Sequence, residues 1–382
     1  MILSLAAPGK YLQGKHLLRG LYTHAAHLGS KFALLTDKTV YEIIREKVEE
    51  SFAASEGRYG VILYNGESTR EEADRVAEII KRERYDVIIG AGGGKALDTA
   101  KLTADILSLP LVIVPTAASS DAPCSAMSVI YDTNGTFVVS ARMKRNPDIV
   151  LVDTAVIANA PVRTLVAGMG DAFATYYEAR ACAQSGACNF SGGTASESGY
   201  ALAKLCNELL LEYGYKAKQD AEMKQWSTAL EKVVEANIYL SGIGFENNGC
   251  AIAHAMYSGM TAILKPFPAL HGEAVAFGTI VQLVTERMFK TDQAEFNQAV
   301  EFYKKVGLPL TFEDMGIRQP SNDQLYLISE AACTKSRNAF NMPFKITPEI
   351  IYDSIITTLR LFGRDKTGSM SIGSEDACHE FV

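Results

Sequence analysis

The sequence lacks a CxxC pair, a long apolar run and an excess of positive charge. Its seven cysteines, at 124, 182, 188, 206, 250, 333 and 378, are odd in number and irregularly spaced. That excludes a zinc ribbon or a thioredoxin-type redox pair, and predicts reduced, mostly buried thiols. No stretch reaches the roughly 18 apolar residues of a membrane-spanning helix. The opening segment MILSLAAPGKYLQGK has no basic region followed by an apolar core. Neither a signal peptide nor a membrane span is expected, so the predicted location is cytoplasmic. Lys and Arg number 37 against 44 Asp and Glu, a net charge of −7. Such a balance argues against nucleic acid or an anionic membrane as partner, since both want clustered cations. Histidine is scarce as well: six residues, at 16, 24, 27, 254, 271 and 379.

What is present is ordinary globular material, 48% hydrophobic and 21% charged over 382 residues. At about 150 residues per domain, that length suggests two domains. Up to residue 155, short β-branched runs alternate with helical spacing. KFALLTD (31–37), VILY (61–64), DVIIGA (86–91), LVIVPT (111–116) and IVLVDT (149–154) read as strands. Residues 39–54, 67–85 and 96–107 read as helices, and 128–140 as a hairpin turning at Asp132-Thr133-Asn134-Gly135. This alternation predicts an α/β fold with a mostly parallel, doubly wound sheet. After Pro161 strand signals vanish. Helices are expected over 171–184, 196–213, 227–246, 250–263, 273–290 and 292–306. Asp292 with Glu295, and Thr228 with Glu231, are spaced as capping boxes. The expected division is 1–158, an α/β domain, and 159–382, an all-helical domain. No internal repeat is visible.

The most informative stretch is DVIIGAGGGKALDTAK. Gly92, Gly93 and Gly94 stand where a buried strand must become a helix. Without Cβ atoms, backbone N–H groups there can approach an anion, and the helix N-terminus adds partial positive charge. Lys95 would add a point charge. The GxGxxG pattern fails because its third glycine would fall at Lys95, and Walker A fails because Ala96 follows the lysine. A phosphate seat competes with a glycine turn needed only for tight helix–sheet packing. Asp37 ends an earlier strand, where a carboxylate can accept from a ribose diol and repel a 2′-phosphate. The alternative is a plain strand-end aspartate.

Residues 115–131, PTAASSDAPCSAMSVIY, leave a strand through small polar side chains including Thr116, Ser119, Asp121 and Ser125. Loops at strand carboxyl ends are where doubly wound folds hold ligands; a polar surface loop is the alternative. Cys124 has no His or Asn nearby in sequence and reads as packing. In the helical half, Asp171, His254 and His271 are the donors suited to a zinc ion with an open position. They lie 83 and then 17 residues apart, which matches no short zinc motif. Asp171 as an N-cap, His254 as a core histidine and His271 as a cap remain open alternatives.

Seven blocks in order carry a family resemblance: PGKY (8–11), GGGKALDTAK (92–101), PTAASSDAPCSAMSVIY (115–131), GMGDAFATYYEARAC (168–182), YLSGIGFENNG (239–249), AHAMYSG (253–259) and HGEAVAFGT (271–279). Together they resemble the glycerol dehydrogenases of the iron-type, metal-dependent alcohol dehydrogenase superfamily. The match runs from about Pro8 to about Thr347. The resemblance implies a dinucleotide-binding α/β domain, an all-helical domain and an active site in the cleft between them. It implies oxidation of glycerol to dihydroxyacetone with NAD and zinc, or another divalent cation, in a homo-oligomer, often an octamer.

By the same resemblance, Asp171, His254 and His271 are metal ligands. Asp37 holds the adenosine ribose. Gly93, Gly94 and Lys95 form the pyrophosphate loop, with Asp98 just inside the next helix. Thr116, Ser119, Ser125, Met127 and Tyr131 line the cofactor, and Asp121 contacts the hydroxyls of a small polyol substrate. Met127 stands where relatives commonly have leucine, a volume-conserving change. LKPFPAL (264–270) is not family-typical. The rival readings are a sister oxidoreductase acting on another vicinal diol, hydroxyketone or 2-oxo acid, and a lyase of the 3-dehydroquinate synthase type. A phosphorylated substrate would need cations that the 115–131 loop does not contain.

Overall fold

The structure, a computed structural model, describes residues 2–53, 55–133, 137–289 and 293–363. Packing divides the chain into two compact units. One comprises Leu5–Met169 and Glu212–Ile243; the other comprises Met1–Ser4, Gly170–Leu211 and Gly244–Val382. The sequence draws a single cut at 158/159, whereas packing groups 159–169 and 212–243 with the sheet.

Among the described residues, the first unit carries eight strands: β1 (Lys10–Gly14), β2 (Lys31–Thr36), β3 (Arg58–Leu63), β4 (Val87–Gly92), β5 (Leu111–Pro115), β6 (Met127–Tyr131), β7 (Phe137–Arg142) and β8 (Ile149–Asp153). Six form one parallel sheet in the order β1-β8-β5-β4-β2-β3. The strands β4, β5 and β8 are buried along their whole length. That is why they read as continuous apolar runs rather than alternating ones. The hairpin of β6 and β7 is antiparallel, as expected; Asn134 and Gly135 of its turn lie outside the described residues. The sheet's helices are α1 (Leu21–Ala25), α2 (Lys38–Ala53), α3 (Arg70–Glu83), α4 (Gly94–Leu107) and α5 (Thr154–Ile157). Asp37 Oδ1 accepts from Val40 N at 2.9 Å, starting α2. Thr69 Oγ1 accepts from Glu72 N at 3.0 Å, capping α3.

Helices then follow one another: α6 (Val162–Ser185), α7 (Glu197–Glu222), α8 (Thr228–Glu235), α9 (Ser241–Asn248), α10 (Ile252–Ile263), α11 (His271–Met288), α12 (Gln293–Val306), α13 (Asn322–Lys335) and α14 (Pro348–Phe362). In the second unit, Met256, Met260, Phe277, Val281, Phe312, Ile328 and Ile355 form the buried centre. A π-helical turn, Ala236–Leu240, joins α8 to α9. It interrupts what the sequence presents as one helix over 227–246.

One capping expectation changes. Ser227, not Thr228, caps α8, its Oγ accepting from Leu230 N at 3.1 Å. Glu231 instead accepts from Gln13 Nε2 (2.6 Å), Thr154 Oγ1 (2.5 Å) and Trp226 Nε1 (2.5 Å), tying β1 and α5 to α8. Asp292 lies outside the described residues. No helix among the described residues is long and apolar enough to cross a membrane.

Candidate metal centre

The second unit gathers three donors from three helices. Asp171 lies on α6, His254 on α10 and His271 at the first position of α11. Small residues make this convergence possible. A Cβ on Gly170 would stand 2.5 Å from the Gly272 carbonyl oxygen, so α6 and α11 touch backbone to backbone beside Asp171 and His271. A Cβ on Gly278 would stand 2.4 Å from the Ala253 carbonyl oxygen, which brings α11 equally close to α10 beside His254. The result is that Asp171 Oδ1 lies 3.2 Å from His271 Nε2 and 3.5 Å from His254 Nε2. One ligand atom from each residue falls within 4.8 Å of the others.

The alternatives open at the sequence level resolve differently. Asp171 is no N-cap: α6 begins nine residues earlier, at Val162. His271 does open α11, but Glu273 Oε2 accepts the Leu270 N–H at 2.8 Å, leaving the imidazole directed at Asp171. His254 is largely buried, with both ring nitrogens facing acidic partners, Nε2 toward Asp171 and Nδ1 toward Glu178 Oε2 at 2.6 Å. Burial would raise the Asp171 carboxyl, but His271 and His254 outweigh it and hold it well below the usual carboxylate range. Burial likewise opposes charge on His254. The Cys250 sulfur, Glu178 and Asp171 overcome that and raise its pKa well above the ordinary 6.5.

One carboxylate and two imidazoles are the donor chemistry of a borderline divalent cation with an open position. The residues present fit such an ion. Asp171 is fully buried, whereas His271 keeps about a third of its side chain exposed. Access to the three donors is therefore from the His271 side, where the Tyr257 ring packs edge-on at 4.4 Å between centroids.

The first unit contains the glycine turn. Gly92 requires glycine because its φ is +147° and a Cβ there would press on Ala96 at 3.0 Å. Neither reason applies to its neighbours. A Cβ on Gly93 or Gly94 would meet nothing within 4 Å, so packing does not explain these two glycines. They open the first turn of α4 onto free space, as an anion seat requires. Asp37 stands beside the turn, its Oδ2 3.9 Å from where a Gly92 Cβ would sit. It is thus both a helix-starting residue and a carboxylate at the mouth of the loop.

Lys95 is engaged with Glu67 Oε1 at 2.5 Å and lies over the Tyr131 ring at 5.5 Å from its centroid. Asp98 is buried, and its Oδ2 accepts from Val129 N at 3.2 Å, fastening β6 to α4. Thr116 N donates to the Gly92 carbonyl at 3.2 Å, joining the two loops. Ser119 and Met127 are partly exposed, as is Tyr131, whose N–H donates to the Ser68 carbonyl at 2.8 Å. The Ser125 hydroxyl is buried, donating to the Ala122 carbonyl and accepting from Met127 N, both at 3.3 Å. Asp121 is buried and its Oδ2 accepts from Ser241 Oγ at 2.7 Å.

Three residues of these sites escape sequence reasoning. Ser241 is known only through its bond to Asp121. Lys101, buried in α4, donates to the carbonyls of Ala122 and Met127 at 2.5 and 2.9 Å and so sets the course of the 122–127 loop. Glu178 lies two turns after Asp171 on the same face of α6, a spacing that does mark it in sequence.

Comparison with known proteins places these features in a wider setting. A family model described as iron-containing alcohol dehydrogenase matches residues 8–154. Glycerol dehydrogenase of Thermotoga maritima is 42% identical over 355 residues, 92% of this chain and 95% of that protein. Glycolaldehyde reductase of Halobacterium salinarum is 40% identical over 351 residues, again 92% and 95%. The crystal structure of glycerol dehydrogenase from Schizosaccharomyces pombe superposes with a TM-score of 0.88 at 37% identity, over 93% of this chain and 89% of that one.

Proposed function

The chain belongs to the glycerol dehydrogenases of the iron-containing alcohol dehydrogenase family, and from that membership we propose that it oxidises glycerol to dihydroxyacetone, and runs the reverse reduction, with NAD and zinc. The observation that carries the reading is the convergence of Asp171, His254 and His271 within 4.8 Å. Those three residues would hold the divalent cation. Zinc so held supplies Lewis acidity toward an alcohol hydroxyl, and NAD supplies the hydride acceptor.

The chain's own residues supply binding and orientation. Gly93 and Gly94, at the start of α4, present backbone N–H groups to a pyrophosphate, and Asp37 accepts from the ribose diol. Thr116, Ser119, Ser125, Met127 and Tyr131 line the cofactor beyond it, and Asp98 supports the β6 side of that lining. Lys95 contributes charge near the phosphates, shared with Glu67. Asp121, steadied by Ser241, accepts from a substrate hydroxyl. The proposed setting is cytoplasmic, in a homo-oligomer.

A second reading has its own support in the 40% identity to glycolaldehyde reductase: the same site reducing a short hydroxyaldehyde or hydroxyketone. A panel of diols, hydroxyketones and 2-oxo acids, each with NAD(H) and NADP(H), tests both. The proposal expects the highest kcat/KM for glycerol and dihydroxyacetone with NAD(H). A preference for a two-carbon hydroxyaldehyde favours the second reading, and turnover of neither contradicts both.

A further inference from the structure

We infer that Glu178 is a positioning residue that fixes the ring tautomer of His254, holding the proton on Nδ1 so that the Nε2 lone pair faces Asp171 and His271. The inference rests on reading those three residues as a cation site.

Glu178 is fully buried and its oxygens are divided between two tasks. Oε1 accepts from Ala251 N at 2.7 Å and from His254 N at 3.0 Å, which satisfies amides at the start of α10. Oε2 meets His254 Nδ1 at 2.6 Å. A carboxylate offers acceptors only, so the hydrogen of that contact belongs to the imidazole. With Nδ1–H committed there, Nε2 is the nitrogen left to bind a cation. Carboxylates that hold the far nitrogen of a ligating histidine are a recurrent support of metal sites, and their loss costs roughly 10- to 100-fold in metal affinity.

The support is itself supported. Gln282 Oε1 accepts from Ala253 N at 3.1 Å, and Gln282 Nε2 donates to Glu286 Oε1 at 3.0 Å. Glu286 pairs with Arg180 at 2.7 Å, and Arg180 pairs in turn with Glu295 at 2.6 Å. The opening turn of α10, which carries His254, is thus fastened by side chains from α6 and α11 together. Cys250 stands close enough that it, Glu178 and His254 also form a compact donor set within 4.8 Å. A second ion there would need the Nδ1 lone pair and one Glu178 oxygen, and both of those oxygens already face N–H donors. The tautomer assignment therefore excludes an ion bound through Nδ1 of His254.

Glu178→Gln separates tautomer from packing. The glutamine oxygen can still accept from Ala251 N and His254 N. Its NH2 then faces Nδ1, which must accept, and the ring hydrogen moves to Nε2, where the cation would bind. In zinc competition against a chromogenic chelator, this variant should bind roughly 10- to 100-fold more weakly than the wild-type chain. Its metal-free melting temperature should stay within a few degrees of wild type. Zinc affinity equal to wild type overturns the inference while leaving the cation site standing. Wild-type chain that binds no zinc, or binds it equally well after Asp171→Asn, overturns both.

Should the variant not fold, long-range 1H–15N correlation on 15N-histidine-labelled, zinc-loaded wild type decides instead. A hydrogen on Nδ1 of His254 supports the assignment. A hydrogen on Nε2, or zinc bound through Nδ1, overturns it.

Discussion

Asp171 and Glu178 stand seven residues apart on α6 and direct their carboxylates at one imidazole, Asp171 Oδ1 at 3.5 Å from His254 Nε2 and Glu178 Oε2 at 2.6 Å from Nδ1. One helix face therefore supplies both a candidate ligand and the group that orients another. Two helical turns separate residues seven apart by about 10.5 Å along the axis, a span an imidazole lying between the side chains can bridge.

Removing Asp171's charge should remove the metal. Asp171→Asn is expected to lower zinc occupancy and glycerol oxidation together, since the residue is fully buried among the two imidazoles. Chelation of wild type should abolish turnover and added zinc restore it. Metal analysis beside the rate assay checks both; normal zinc content at normal rate would remove Asp171 from the ligand set.

Metal binding should release protons near neutrality. The Cys250 sulfur and the acidic surroundings of His254 raise its pKa, favouring a second ring proton, on Nε2, that the cation must displace. The sign follows directly. Lowering the pH adds competing protons and weakens zinc binding, and raising it through the elevated pKa strengthens binding until the ring is neutral. Calorimetry in two buffers of different ionisation enthalpy measures the release. Identical heats in both would contradict it.

Asp37→Asn should narrow the preference for NAD over NADP. Asparagine caps a helix about as well as aspartate, so the start of α2 and the melting temperature should be retained. Two unit charges about 4 Å apart interact by about 4 kcal/mol at an effective dielectric of 20, and screening leaves part of that. A change of about tenfold or more in the ratio of the two kcat/KM values is expected. An unchanged ratio would leave Asp37 with a structural role only.

Gly93→Val tests the anion seat. Gly93 has φ −85° and ψ 179°, which any residue adopts, and its Cβ would meet no protein atom within 4 Å. Stability should fall by no more than about 1 kcal/mol, from the weaker cap. NAD affinity, read by fluorescence titration, should fall by about tenfold or more. Retained affinity would show that the open space beside α4 is not where the pyrophosphate lies.

Much of this was legible in the sequence because the governing effects are local. The strands β2, β4, β5 and β8 announce themselves as apolar runs, and the glycine turn stands where a strand meets a helix. β1 does not. Its five residues, KYLQG, alternate too weakly to stand out, and its partner β8 is far along the chain, Lys10 pairing with Ile149.

The start of α6 misleads for a related reason. Gly168 and Gly170 look like helix breakers before Asp171. They lie inside the helix, and they are glycine because a side chain there would collide with the carbonyls of Ala118 and Gly272. The three donors were visible as residue types, but their convergence depends on such backbone contacts, which no spacing rule reports. Ser241 acquires meaning only once the element carrying it meets its partner, Asp121.

The account stands on the cation site, and anomalous diffraction at the zinc edge from zinc-loaded crystals tests it most directly. It predicts a single peak within about 2.0–2.2 Å of an Asp171 carboxylate oxygen and of Nε2 of both His254 and His271. A map with no peak there, or with the zinc bound elsewhere in the chain, would contradict it.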